Sequence, residues 1–230
     1  MQNSDSKETK DTRIQYETKQ RSASVEEQRE QLVKALGARS TRTRNLVLLA
    51  LLTAMTVVFQ MLGSFIKFGP FSISLVLMPI AIGAALVGAY AGGWLGLVFG
   101  AIVLLSGDAA PFLAVNIPST VFLVLLKGML AGLAAGLAYK LFANKNKTVA
   151  AIAAAAICPI VNTGIFIVGV YAFFLPTIAE WGAAAGAVST TAFIFVGMIS
   201  INFFVELGLN LVLSPAIVRL IQFGQDRRGA

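Results

Sequence analysis

A polar beginning gives way to recurring apolar runs. Residues 1–44 are dominated by charged and amide side chains; from 45 onward hydrophobic stretches follow one another, parted by glycine, proline and short charged segments. A helix needs about 20 predominantly apolar residues to cross the hydrocarbon core of a bilayer. By that measure the pattern predicts spans at 45–66, 73–91, 92–106, 117–143, 148–174 and 188–222. The second and third are short, and short spans tilt or break. Only GAYAGGW separates them, with Gly92 and Gly93 as the expected turn. The expected fold class is therefore an all-α integral membrane protein. It comprises a polar N-terminal extension (1–44), a six-helix membrane domain (45–222) and a basic tail (223–230). Within the extension, SVEEQREQLVKAL predicts a short helix, with Ser24 as N-cap and Glu27 at the capping-box position. The first forty residues are polar, so no cleavable signal peptide is expected.

Charge distribution turns this pattern into a topology. Residues 1–38 hold seven basic and seven acidic side chains, whereas residues 39–230 hold eleven basic and four acidic ones. The whole net charge of +7 therefore lies in the apolar part. An excess of cations can mark a nucleic-acid binder. Here the cations flank hydrophobic runs, which fits membrane topology instead. Arg39, Arg42 and Arg44 precede the first span; Lys140, Lys145 and Lys147 fall between the fourth and fifth; Arg219, Arg227 and Arg228 close the chain. Six spans put all three groups on one side, which the positive-inside rule makes cytoplasmic. Both termini are then cytoplasmic. The opposite loops carry Lys67, Asp108 and Glu180, one charge each.

At 57% hydrophobic residues and a mean hydropathy of +0.80, the chain exceeds the roughly 45–50% apolar content of soluble domains. It has no histidine and one cysteine, Cys158, set among apolar neighbours in AAAICPI. No internal disulfide and no His/Cys metal cluster is possible. The Ser-His-Asp and Cys-His catalytic arrangements are missing as well, and no enzyme activity or cofactor is expected.

Small residues recur at helical spacing. Gly92, Gly96 and Gly100 stand four apart, as do Gly128, Gly132 and Gly136. Helices in lipid approach closely through such positions, and packing within the bundle is the expected use of both sets. Ala50 and Ala54 form a similar notch near the charged end of the first span.

That notch belongs to an ordered set of features: SLVLMPIAIGAALVGAYAGGWLGLVFGAIVLL (74–105), NIPSTVFLVLLKGMLAGLAAGLAYKLF (116–142) and PIVNTGIFIVGVYAFFLP (159–176). Together they resemble the substrate-binding S component of an energy-coupling factor (ECF) vitamin importer, over about residues 45–222. The resemblance implies a six-helix bundle with cytoplasmic termini in a prokaryotic plasma membrane, and capture of a water-soluble vitamin near the outer face. It also implies a lid at IKFGPFSI (66–73) and three partners: a transmembrane coupling (T) component and two ATP-hydrolysing subunits. The small-xxx-small motif of the first helix meets the coupling protein in this family, which assigns that contact to Ala50 and Ala54. No phosphate-binding loop is present; GLVFGAIVLLSG lacks the Lys-Ser/Thr ending of a P-loop.

Ionisable side chains inside a span cost about 2.5–3.5 kcal/mol at the centre on insertion scales. Two occur, Lys127 and Glu206. At 1.5 Å per residue Lys127 lies about 13 Å below the start of its helix, Asn162 about 21 Å above the start of its own, and Asn202 about 18–20 Å from the outer end of the last. Glu206 is one turn deeper. These depths are compatible with one polar pocket holding Lys127, Asn162, Thr163, Asn202 and Glu206. An alternative use of Lys127 and Glu206 is a structural ion pair, and of Asn202 a helix–helix hydrogen bond. Pro159 removes a backbone donor just before Asn162 and Thr163. Asn116 is either a ligand contact or a helix cap, and Tyr171 is a further aromatic candidate. A lone intramembrane lysine favours an anionic vitamin such as pantothenate or folate. Competing readings are a stand-alone secondary transporter or channel for a small organic solute, an integral-membrane enzyme, and a non-transporting scaffold. Expected partners are thus a vitamin-like small molecule, the coupling protein, the ATPases and membrane lipid, with no nucleic acid.

Overall fold

The structure is a computed structural model that describes residues 2–65, 67–68, 71–72, 76–200, 203–212, 215 and 218–219. It is built of helices: α1 (Gln2–Ser64), α2 (Leu77–Leu86), α3 (Ala89–Leu105), α4 (Ala110–Val115), α5 (Ile117–Ala143), α6 (Lys147–Phe173), α7 (Leu175–Ala184) and α8 (Thr190–Ala192). α8 runs directly into a π-helix, Phe193–Ser200, and residues 203–212 are again α-helical. Two two-residue strands, β1 (Lys67–Phe68) and β2 (Phe71–Ser72), pair antiparallel within the stretch expected to be a lid; the rest of 66–73 lies outside the described residues.

The chain forms two compact units, one ending at Leu46 and the other starting at Val47. The first is helical, and the helix continues through Ser24 rather than starting there. Its Glu26–Val33 side chains are exposed. The expected basic tail, 223–230, lies outside the described residues.

Among the described residues four segments are long and apolar enough to cross a membrane: Thr41–Ser64, Ile117–Ala143, Lys147–Phe173 and Thr190–Val212. The second and third expected spans correspond to helices too short to be among these four. α2 has 10 residues and α3 has 17, so at 1.5 Å per residue they reach about 15 and 26 Å. The turn between them is at Gly88 (φ +126°), a backbone geometry that favours glycine. It is not at Gly92 and Gly93, which lie inside α3.

Those glycines are used for packing. A Cβ on Gly92 would collide with the carbonyl of Gly132, and one on Gly96 with that of Gly128; one on Gly100 would stand 2.8 Å from the carbonyl of Val124. Reading up α3 and down α5, the pairs place the two helices antiparallel with their backbones in contact. α5 also packs on α6, which in turn touches α2 and carries a fully buried stripe of Ala150, Ala151, Ala154, Ala155 and Cys158. α2 is buried almost throughout, and Pro79 stands in its first turn, where no intrahelical donor is lost.

In the second unit α1 faces inward with Leu52, Thr56, Gln60 and Gly63, spaced for one helix face. Ala50 and Ala54 point away from this stripe and are exposed, together with Leu51, Met55 and Val58. Trp94 of α3 donates its indole N–H to Thr53 beside the notch, at 3.3 Å.

Candidate functional site

A cavity of about 100 Å³ opens among α1, the α3–α4 turn, α5, α6 and the last helical segment. Six polar side chains line it: Gln60, Asp108, Lys127, Asn162, Thr163 and Glu206. The rest of the wall is largely aromatic, with Phe99, Phe112, Phe166 and Phe203. The π-helix brings Met198 and Ile199 to the wall. π-type turns are often associated with functional sites.

Asp108 organises the end of the cavity at the α3–α4 turn. Its Oδ2 accepts hydrogen bonds from Gln60 Nε2 at 2.8 Å, Ser64 Oγ at 2.8 Å and Ser106 Oγ at 2.9 Å. Gln60 and Ser64 share one face of α1 because they are four residues apart. Hydrogen bonds to an ionised acceptor are about twice as strong as neutral ones, so the carboxylate ties α1 to the α3–α4 turn.

Lys127 projects from α5 with Nζ 5.1 Å from the centroid of the Phe166 ring and 5.9 Å from that of Phe99. Ammonium ions are attracted to aromatic faces at such distances. It also feels the carboxylates of Glu206 and Asp108. Phe112 packs edge-to-face on Phe166, Phe174 and Trp181 at centroid distances of 5.6, 5.1 and 5.6 Å, linking the cavity to a larger aromatic cluster.

Two buried acceptors at the wall have no hydrogen-bond partner among the described residues, Gln60 Oε1 and Asn162 Oδ1. Their residues are only 1% and 5% exposed. A buried unpartnered polar group costs about 1–3 kcal/mol. Both belong to residues that line the cavity, and a buried polar atom of this kind calls for a donor from a ligand or water.

A family model for "ECF transporter, substrate-specific component" matches residues 44–218. The chain belongs to this family. It is a multi-pass membrane protein, a substrate-specific transporter component, and the family is one of transporter parts rather than enzymes. No curated protein and no solved structure matches the chain.

Within this substrate-specific component the sequence candidates part company. Lys127, Asn162, Thr163 and Glu206 share the cavity wall. Asn116 does not: it is the N-cap of α5 and its Oδ1 accepts from the Ser119 backbone N–H at 3.0 Å. Nor does Tyr171, which is 38% exposed, with its hydroxyl 3.4 Å from Thr191 Oγ1. Asn202 lies outside the described residues. The sequence reading missed Gln60 and the site role of Asp108. A signal existed in the first span, where Thr56, Gln60 and Ser64 form a polar row at four-residue spacing along an apolar helix. Asp108 carries no comparable signal, because in SGDAAP it reads as a solvated loop charge.

Proposed function

We propose that this component captures a water-soluble vitamin from outside the cell in the cavity between α1, α5 and α6. It then delivers the vitamin by docking on a transmembrane coupling component driven by two ATP-hydrolysing subunits, in a prokaryotic plasma membrane. Gln60, Asp108, Asn162 and Thr163 are the substrate contacts, with Lys127 and Glu206 completing the wall. The observation that carries this reading is a polar cavity whose wall includes two residues, Gln60 and Asn162, with buried unpartnered acceptors, in a member of this transporter family.

Six crossings with both termini cytoplasmic remain the best account of the bundle. Gln60 and Ser64, at the end of α1, meet Asp108 just beyond α3. Leu49, fifteen residues earlier on α1, lines a groove with Val87, Gly88 and Ala91 at the α2–α3 turn. The chain therefore travels from the level of Ser64 to that of Leu49 and back between α1 and α4. Two short helices thus make two passages. Cationic flanks of the remaining spans then fall on the α2–α3 turn side.

The cavity holds about three waters at ~30 Å³ each, while sites for drug-sized ligands run to about 300–1,000 Å³. Capture then requires the outer wall to move, and α4, six residues carrying Phe112, is its smallest element.

Docking falls to the exposed Ala50 and Ala54, whose surface the protein's own side chains leave open. Overpacking a close helix contact is destabilising. The Ala50→Trp/Ala54→Trp double variant is expected to bind vitamin as wild type does while ATP-dependent uptake by the reconstituted complex is abolished. Uptake at the wild-type rate in that variant removes the docking role. Uptake without ATP or partner subunits supports a stand-alone secondary transporter instead.

A further inference from the structure

We infer that the cavity is built for a solute bearing a positively charged nitrogen with N–H donors, and that Asp108 is its counter-charge. This deepens the proposed function and rests on it.

Three observations carry the inference. The first is charge. Among the described residues two carboxylates and one ammonium line the cavity, which leaves one negative charge in excess there. Lys127 stands within reach of the charges of both Glu206 and Asp108. Asp108 meets only neutral donors in its three hydrogen bonds, from one glutamine and two serines. A charge in a membrane interior calls for an opposite partner.

The second is the sense of the open hydrogen-bonding groups. Gln60 donates from Nε2 to a carboxylate, which cannot donate in return, so the orientation of its amide is fixed and Oε1 is the end left over. Asn162 also has an unpartnered amide, but no hydrogen bond among the described residues orients it, so it offers a donor as well as an acceptor. The vacancy whose sense is fixed, Gln60 Oε1, is an acceptor, so the group missing there is a donor. A carboxylate ligand would bring more acceptors and a second excess negative charge.

The third is the wall itself. Phe99 and Phe166 already accept one cation, and Phe112 and Phe203 add further aromatic surface. Such walls suit a cationic or protonated ring. The expectation of an anionic vitamin, drawn from Lys127 alone, is thereby revised: the two carboxylates outnumber it.

Isothermal titration of the purified full-length chain in detergent tests this with five probes. Thiamine and pyridoxamine carry positive nitrogens and N–H donors, riboflavin is neutral, and biotin and pantothenate are carboxylates. One of the two cationic probes is expected to bind at least tenfold more tightly than any of the other three. Tightest binding by riboflavin, biotin or pantothenate overturns the charge inference and leaves the cavity standing as a vitamin site. Binding of none of the five removes the proposed function and the inference together. In D108N the preference for the cationic probe over riboflavin is expected to fall at least tenfold, and D108E is expected to retain it. A purely structural role for Asp108 would weaken all probes alike, and that result overturns its assignment as counter-charge. The ranking in the wild-type protein decides the charge class whether or not D108N folds.

Discussion

Two faces of α5, one residue apart in sequence, are built on opposite terms. Gly128 belongs to the seam with α3, where backbone meets backbone and no room is left for a single Cβ. Lys127 belongs to the cavity, where a long charged side chain stands among aromatic rings and two acceptors lack donors. In lipid there is no hydrophobic drive to bring helices together, so packing has to be complete where the fold is held. It can be left incomplete only where something else arrives to finish it. The seam is therefore the region intolerant of volume, and on the proposed function the cavity is the region whose polar groups serve binding rather than stability.

The sharpest way to break this contrast is to put volume into the seam. Gly96→Leu has no space to enter, because the obstructing atoms are backbone of Gly128 rather than a side chain that can turn away. We expect a loss of about 3 kcal/mol, at the upper end of overpacking effects, read as a collapse in the yield of monodisperse protein and in its melting temperature. A Gly96→Leu protein that melts like wild type would mean that α3 and α5 are not held this closely.

A change in the cavity is expected to act in the opposite sense. Asn162→Leu removes a buried acceptor without a partner, and such a replacement is close to neutral or stabilising for the empty fold. Ligand affinity is expected to fall about tenfold, equivalent to about 1.4 kcal/mol. Thermal melting and titration on the same preparation separate the two effects. Loss of stability with unchanged affinity would make Asn162 a structural residue.

The smallest effect is expected at Asn116. Its side chain caps α5, so Asn116→Ala is expected to cost about 1 kcal/mol of stability and leave affinity within about twofold. A tenfold loss of affinity would return Asn116 to the binding site.

Legibility followed the same division. The spans 117–143 and 148–174 are nearly the observed α5 and α6, because a long apolar run between polar caps has few alternative structures. The boundary between α2 and α3 was misplaced because glycine serves both turns and close packing. GAYAGGW contains both uses, and only the structure shows Gly88 turning while Gly92 packs. The short α7 was read as loop. Lys127, Asn162, Thr163 and Glu206 stood out as polar groups in apolar helices. The charge balance of the site did not, because it depends on Asp108 meeting residues 44 and 48 positions away. No local pattern encodes that meeting, and without it a lone lysine points to an anionic ligand.

The hydrogen bond from Trp94 to Thr53 has a practical consequence. The chain has only two tryptophans, and they stand in different neighbourhoods. Trp181 packs on Phe112 of the cavity wall, while Trp94, half-exposed, lies beside the alanine notch. Indole emission shifts with the polarity around the ring, so a Trp181→Phe protein would leave one fluorophore watching the arrival of a foreign helix, and Trp94→Phe one watching the vitamin. Each half of the transport cycle thus comes with its own built-in optical reporter.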